Sequence, residues 1–308
     1  ITDYINRPHR VAQRRRGQRG TSRPRAQQCS TTRASLLLLC ALTTGVALMA
    51  PKEPPADADA LVARLQAAVA PPEDDPAFPI DDACCRRYLR ARDWDLAKAT
   101  KMLEETVAWR KDFGVASLVE DKFPTLELEC ATGKTYVSPG VDRAGRTTVI
   151  MRSRHENTHD HDGNVANLVY HLERAVKKTT AGPEEKWNLM IDFEGYSLRN
   201  APPMKTSKAT LKAVQDYYPE RLHKAYLVDA PWIFNAFFKL ISPFIDPVTK
   251  AKIVFVKGTP EQRAKVLAGE YDLAEVEAAL GGTSDFVYDA ATYLAEDKDR
   301  YEKAKSAA

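Results

Sequence analysis

Glycine is scarce in this chain, 14 of 308 residues, and it is scattered. Neither a G-x-x-x-x-G-K-S/T phosphate loop nor a G-x-S-x-G nucleophile turn occurs. The usual handles of P-loop and α/β-hydrolase chemistry are therefore missing. Cysteine is scarce too, and odd in number: Cys29, Cys40, Cys84, Cys85 and Cys130. An odd set with an adjacent pair is no disulfide framework and fits free thiols in a reducing compartment. A basic body is also lacking. The net charge is +3, but residues 1–48 hold nine arginines against one acid, Asp3, and the remaining 36 basic and 41 acidic residues give −5. A nucleic-acid partner argued from overall pI is thereby excluded.

Residues 1–48 need their own account. Arg-rich, acid-poor sequence with serine and threonine fits an organelle transit peptide. The uncharged run from Ala34 to Ala50 fits a secretory signal core, and is marginal for a spanning helix. Met49 opens MAPKEPPADADALVARL, which reads as an ordinary cytosolic N-terminus; on that reading 1–48 is an artefact of the untranslated region that the mature protein does not carry. The expectation is a cytoplasmic protein, peripheral at membranes. If 1–48 is a working transit or signal segment, it is an organelle-targeted one.

The body reads as helices first. Leu61, Leu65 and Val69 are spaced for a short docking helix. Asp81 or Asp82 caps a helix running to Arg92, and Asp95 caps another from Leu96 to Phe113, closed by Gly114. From Tyr136 the pattern changes. The polar turn 142–146 separates two strands and predicts a hairpin. An amphipathic helix over 164–179 follows, then an apolar strand at Trp187–Phe193 and a helix begun by Pro202 and Pro203. Strands alternating with helices from 147 to 256 predict a mainly parallel sheet covered by helices. The loop 154–163 carries His155, His159 and His161 with Asp160 and Asp162, which are metal-ligand types. No distant ligand accompanies them, so the expectation is a solvated loop tip and no metal. Asp192 and Glu194 flank a strand end, where α/β proteins often place ligands; they read as turn formers, and no catalytic residue is assigned. The charged tail reads as a solvated helix.

The densest stretch runs from Val214 to Val256. Strand AYLVD (225–229) leads through Ala230-Pro231 into Trp232–Ile241, apolar except for Asn235 and Lys239, and IVFV (253–256) follows. A helix greasy nearly all round is buried, spans a membrane or covers something apolar. Ten residues fall short of the about twenty that spanning needs. A core helix and a lid over an apolar cavity both remain open.

YYPERLHKAYLVDAPWIFNAFFKLISPFIDPVTKAKIVF resembles the signature half of CRAL-TRIO lipid-binding domains. CRRYLRARDWDLAKATKMLEETVAWRKDFG is similar to the helical segment that precedes it, and IDFEGYSLRNAPP to the strand and turn between. The resemblance implies an α/β CRAL-TRIO fold, with a helical domain over 81–115 and a lipid-binding domain over 125–283. Residues 49–80 are then linker with a short helix, and 284–308 a charged tail. It further implies a monomeric, non-enzymatic carrier without cofactor. That carrier would hold phosphatidylinositol and a second hydrophobic lipid, and meet membranes transiently. The implied headgroup contacts are Arg92, Glu220, Thr249 and Lys252. Lys252 and Thr249 would stand at the phosphate, Glu220 on inositol hydroxyls, and Arg92 behind Glu220. The implied gate and apolar pocket comprise Trp232, Phe234, Phe237, Phe238, Leu240, Ile241 and Phe244, with Phe237, Phe238 and Phe244 meeting the membrane. The sequence departs from the family at Asp93, where a basic residue often follows the arginine. It departs again at Trp187 and Leu189, where choline-lipid binders carry small hydroxyl residues, and over LAEVEAALGG (273–282). These departures favour phosphatidylinositol with a less polar second ligand. Rival readings are a tocopherol- or retinoid-like carrier, a trafficking module with structural lipid, and an α/β enzyme.

Overall fold

The computed structural model describes residues 53–180, 185–197, 203–241 and 250–307. The 1–48 leader lies outside them. Three helices open the fold: α1 (Ala58–Ala68), α2 (Asp82–Ala91) and α3 (Leu96–Phe113). Asp81 caps α2 by accepting from the Cys84 N–H at 2.7 Å, and Asp95 caps α3 through the Lys98 N–H at 3.1 Å. At the far end of α3, Gly114 takes φ 74°, the left-handed cap that a residue without Cβ adopts freely. Val62, Leu65, Leu89, Ala99 and Leu103 bury the shared face of this small lobe.

Helix α4 (Leu118–Cys130) is an element that sequence reading passes over, because Pro124 lies inside it. The chain accommodates the proline by kinking at Lys122, whose φ of −125° is not helical.

The sheet is β1 (Thr135–Val141), β2 (Thr147–Arg152), β3 (Trp187–Asp192), β4 (Leu222–Val228) and β5 (Ile253–Val256), in spatial order β1-β2-β3-β4-β5. β1 and β2 form the expected antiparallel hairpin, and the remaining pairs are parallel. The chain returns through α5 (His161–Thr180), α6 (Met204–Lys212) with a π-turn at Ala213–Tyr217, and α7 (Trp232–Ile241). β4 begins three residues before the AYLVD strand read from sequence, because Leu222 already pairs with Trp187, and an irregularity over His223 and Lys224 carries the ladder on to Ala225 and Leu189. The free edge of β1 is closed by side chains. Tyr293 Oη accepts from the Val137 N–H at 2.9 Å, and Lys178 Nζ donates to Ser138 O and Pro139 O at 2.7 and 2.8 Å.

The two faces of the sheet differ. Tyr136, Ile150, Met190, Tyr226 and Val256 pack under α8 (Pro260–Leu267) and the segment after it, and are buried. On the other face, α5 covers the β1 side and α7 the β5 side. The tail forms α9 (Ala290–Ala307), a helix mostly exposed as expected, but held to the body along one side. Leu294 is buried against α4, and Asp297 receives the Tyr170 hydroxyl at 2.6 Å.

Candidate functional site

Register decides what the second sheet face presents. Val149, Leu189, Ala225 and Ile253 lie in one row across the parallel strands, and Met151, Ile191, Leu227 and Phe255 in the next. All are apolar. Strands covered on both sides should bury every such residue. Yet Leu189, on the central strand, and Met151 and Phe255 are only half-buried. Helix α7 lies over the β5 side. Phe234 is 3% exposed, its ring 4.9 Å from that of Phe193, and Phe238 stands 5.3 Å from Phe255. Those two phenylalanines are four apart and share one helix face. Trp232 points the other way and is 78% exposed. An incompletely covered apolar sheet beneath an aromatic helix is a surface for an apolar ligand.

The turn feeding α7 is strained and tethered. Asp229 holds φ 50° and pairs with Arg263, while Lys257 Nζ donates to Ala230 O at 2.6 Å.

The polar groups gather at the N-terminal ends of the parallel strands. Lys186 precedes β3, Glu220 and Arg221 precede β4, and Lys252 precedes β5. The ladder holds these ends side by side. Trp187 N–H donates to Arg221 O at 2.8 Å, and Ala225 N–H to Lys252 O at 2.7 Å. Glu220 sits at φ 58°, a strained conformation for a non-glycine residue. Burial pushes the Lys252 ammonium below the ordinary lysine value; Glu220 opposes that shift and Lys186 adds to it.

Two family models match the chain: the CRAL/TRIO domain over residues 131–282, and the CRAL/TRIO N-terminal domain over 61–105. The chain belongs to the CRAL-TRIO family. The yeast Saccharomyces cerevisiae protein named phosphatidylinositol transfer protein PDR17 is 34% identical over 229 residues, covering 71% of this chain and 62% of that protein. A CRAL-TRIO domain-containing protein of Schizosaccharomyces pombe is 38% identical over 172 residues, 56% of this chain and 17% of its own length. The SEC14 cytosolic factor of Kluyveromyces lactis is 29% identical over 228 residues, covering 65% of this chain and 75% of that one. This chain therefore spans less than two thirds of PDR17 and a small part of the fission-yeast protein.

Against the CRAL-TRIO expectations, the structure brings Glu220 and Lys252 together and leaves Arg92 out. Arg92 Nη1 donates to Ala91 O at 3.0 Å, and no hydrogen bond or ion pair joins it to Glu220. The helix ends at Ala91, so Arg92 is its C-cap and its side chain folds back on the last turn. Thr249 and Phe244 lie outside the described residues, as do the side chains of Phe237, Leu240 and Ile241. Trp232 is not a pocket residue, being the outward end of α7. Phe238, expected at the membrane, faces Phe255.

Sequence reading missed a buried ionic cluster at the opposite strand ends. Asp192 is 1% exposed, and besides forming the expected turn, with Oδ1 accepting from the Glu194 N–H at 2.9 Å, it engages two arginines. Its Oδ2 accepts from Arg154 Nη1 at 2.6 Å and lies 3.4 Å from Arg152 Nε, while Arg152 Nη2 reaches Glu277 Oε2 at 2.6 Å. The Tyr136 hydroxyl also donates to Glu277. With both carboxylates so engaged, this cluster joins β2, β3 and the closing segment as a structural tie. The histidines of the 154–163 loop find separate partners: His155 Nδ1 meets Thr132 O at 2.8 Å, and His161 Nδ1 meets Thr206 Oγ1 at 3.0 Å. A different trio, Asp142, His223 and Glu270, brings ligand atoms within 4.8 Å of one another. Arg146 holds Asp142 at 3.1 Å and Lys224 holds Glu270 at 2.5 Å, so a divalent cation would enter a cluster whose charge is already balanced. Cys130 Sγ lies 4.0 Å from His171 Nε2, but burial pushes its thiol up to about 12 and leaves it a poor nucleophile.

Proposed function

We propose that this chain binds phosphatidylinositol and exchanges it with membranes, without making or breaking a covalent bond. The observation that carries this reading is the pairing of an apolar sheet face, roofed by α7, with Glu220 and Lys252 at the same sheet's strand ends. The ligand is thereby divided in two. Acyl chains gain about 0.8 kcal/mol per buried CH₂. The headgroup brings a phosphate diester for the Lys252 ammonium and ring hydroxyls for the Glu220 carboxylate. Thr249 and Arg92 complete the set that the family resemblance assigns, Arg92 after a change of rotamer. The second ligand is a less polar lipid. Trp232 is the aromatic that the closed helix offers to a membrane surface, where an amphipathic ring settles at the headgroup level. Cytoplasmic, peripheral action follows from the same reading, which the likeness to the yeast phosphatidylinositol transfer protein PDR17 supports.

The test is transfer of labelled phosphatidylinositol between vesicles by the full chain. Wild type should transfer it. Lys252→Ala and Glu220→Ala should each lower affinity about ten- to a hundredfold, the size of a lost charge-assisted hydrogen bond, with the circular dichroism spectrum unchanged. Trp232→Ala should weaken vesicle association while leaving lipid content alone. Co-purification of an uncharged isoprenoid, with both headgroup variants silent, would put a neutral carrier in first place. Firm protein-partner binding without transfer would favour the trafficking module.

A further inference from the structure

Beside Glu220 lies a cavity of about 70 Å³, between α2, the 77–79 segment and the start of β4. That is room for about two waters or one tetrahedral oxyanion. Arg87, Tyr88, Glu185, Pro219 and Arg221 are among its walls. Arg87 and Arg221 are 6% and 8% exposed. Arg87 Nη1 takes the Glu185 carboxylate at 2.6 Å, whereas Arg221 Nη1 reaches only the backbone carbonyl of Glu185, at 2.9 Å. Among the described residues no carboxylate pairs with Arg221. The other acids on the wall are engaged: Asp81 caps α2, and Glu173 is held by Arg110 and by the Tyr218 hydroxyl. Burial and the neighbouring Arg87 push the Arg221 guanidinium down to about 10, where arginine ordinarily stays above 12. The Tyr88 hydroxyl, buried beside Thr106, meets no partner with hydrogen-bonding geometry. A buried cation without a counter-ion and a buried hydroxyl without an acceptor are each costly, and one anion relieves both.

We infer that this cavity is a subsite for a phosphate monoester, bound by the guanidiniums of Arg221 and Arg87 and by the Tyr88 hydroxyl as donor. A planar fork meets such an oxyanion with two parallel bonds. Glu220, the neighbour of Arg221 in sequence, holds the inositol ring in the proposed function. On that reading, the monoester is a phosphate on the same ring. The subsite stands without the headgroup reading; the assignment of its occupant to a lipid rests on it.

The experiment has a soluble and a vesicle arm, both on the full chain. In the first, millimolar inorganic phosphate, against matched chloride, should raise the melting temperature of wild type by several degrees. Arg221→Gln should abolish the shift. Tyr88→Phe, which removes only an unpartnered hydroxyl and keeps the ring, should leave the apo protein as stable and still reduce the shift. In the second arm, wild type should transfer a monophosphorylated phosphatidylinositol at least as fast as the unphosphorylated lipid. Arg221→Gln should slow the phosphorylated lipid about tenfold and the other little. A phosphate shift without any lipid preference would assign the subsite to free phosphate. Failure to transfer either lipid would overturn the headgroup reading and leave the subsite standing on the soluble arm. Absence of a phosphate-specific shift in wild type, or an unchanged shift in both variants, would overturn the subsite itself.

Discussion

Arg110→Ala is expected to destabilise the fold by about 3–5 kcal/mol, the cost of removing one partner from a buried ionic group. Arg110 is 3% exposed and stands where three parts of the molecule meet. Its Nε donates to Asp75 Oδ2 at 2.6 Å, in the segment before α2. Its two terminal nitrogens grip Glu173 on α5, at 2.8 and 3.0 Å. The Phe78 ring lies 4.5 Å from the guanidinium carbon. The side chain thus ties the helical lobe to the sheet domain. Deleting it leaves the buried Asp75 and the half-buried Glu173 without their cation. Urea unfolding at neutral pH reads the loss directly. Adding Asp75→Asn and Glu173→Gln to the alanine variant should restore a good part of it, because the stranded charges are then gone. A loss under 1 kcal/mol, or no restoration, would refute this account.

Much of this architecture is written in local signals. Asp95 and Gly114 bound α3, the polar turn 142–146 makes the hairpin, and the apolar run at Trp187 makes the central strand. Thr259 and Gln262 form a reciprocal capping box that announces α8. Long-range partners erase such signals elsewhere. Pro124 argues against a helix until α4 kinks and packs on α5 and α9. A charged tail looks solvated because only a few of its residues, Tyr293, Leu294 and Tyr301 among them, meet the core. The binding site divides in the same way. Family resemblance points to Glu220 and Lys252, since no spacing rule links them; the parallel sheet makes them neighbours by aligning its strand starts. The same resemblance points to Arg92, but its own helix end holds it aside. Arg87 and Arg221 gave no signal, because a buried arginine and a surface arginine are the same letter. Their burial arises only when α2 and the segment before β4 close around one cavity.

Acidification supplies the second large effect, through one residue. Between pH 7 and pH 4, His171 is expected to withdraw about 3 kcal/mol of stability. It is fully buried in α5, between α4 and α9. Its Nδ1 donates to Asn167 O at 2.7 Å, Cys130 Sγ lies 4.0 Å from Nε2, and the Tyr293 ring stacks at 5.8 Å. No carboxylate faces it to welcome a second proton, and burial pushes its pKa down to about 3 from 6.5, with Arg174 and Lys134 acting the same way. The unfolded chain takes up a proton below pH 6.5 and the folded chain does not until about 3. The unfolded state therefore binds more protons across that window, and stability falls as pH falls. His155 and His223 are also held below their ordinary value, chiefly by burial, and act in the same direction. The measurement is accordingly a difference. Urea unfolding at pH 7 and pH 4.5 is compared for wild type and His171→Gln, whose side chain has no proton to gain. The variant should be less stable at pH 7 and lose much less on acidification. Equal losses in both proteins would mean that His171 is not the acid-sensitive group. Unfolding should begin where α5 packs on α4 and α9, because a protonated imidazole is relieved only by letting water between those helices.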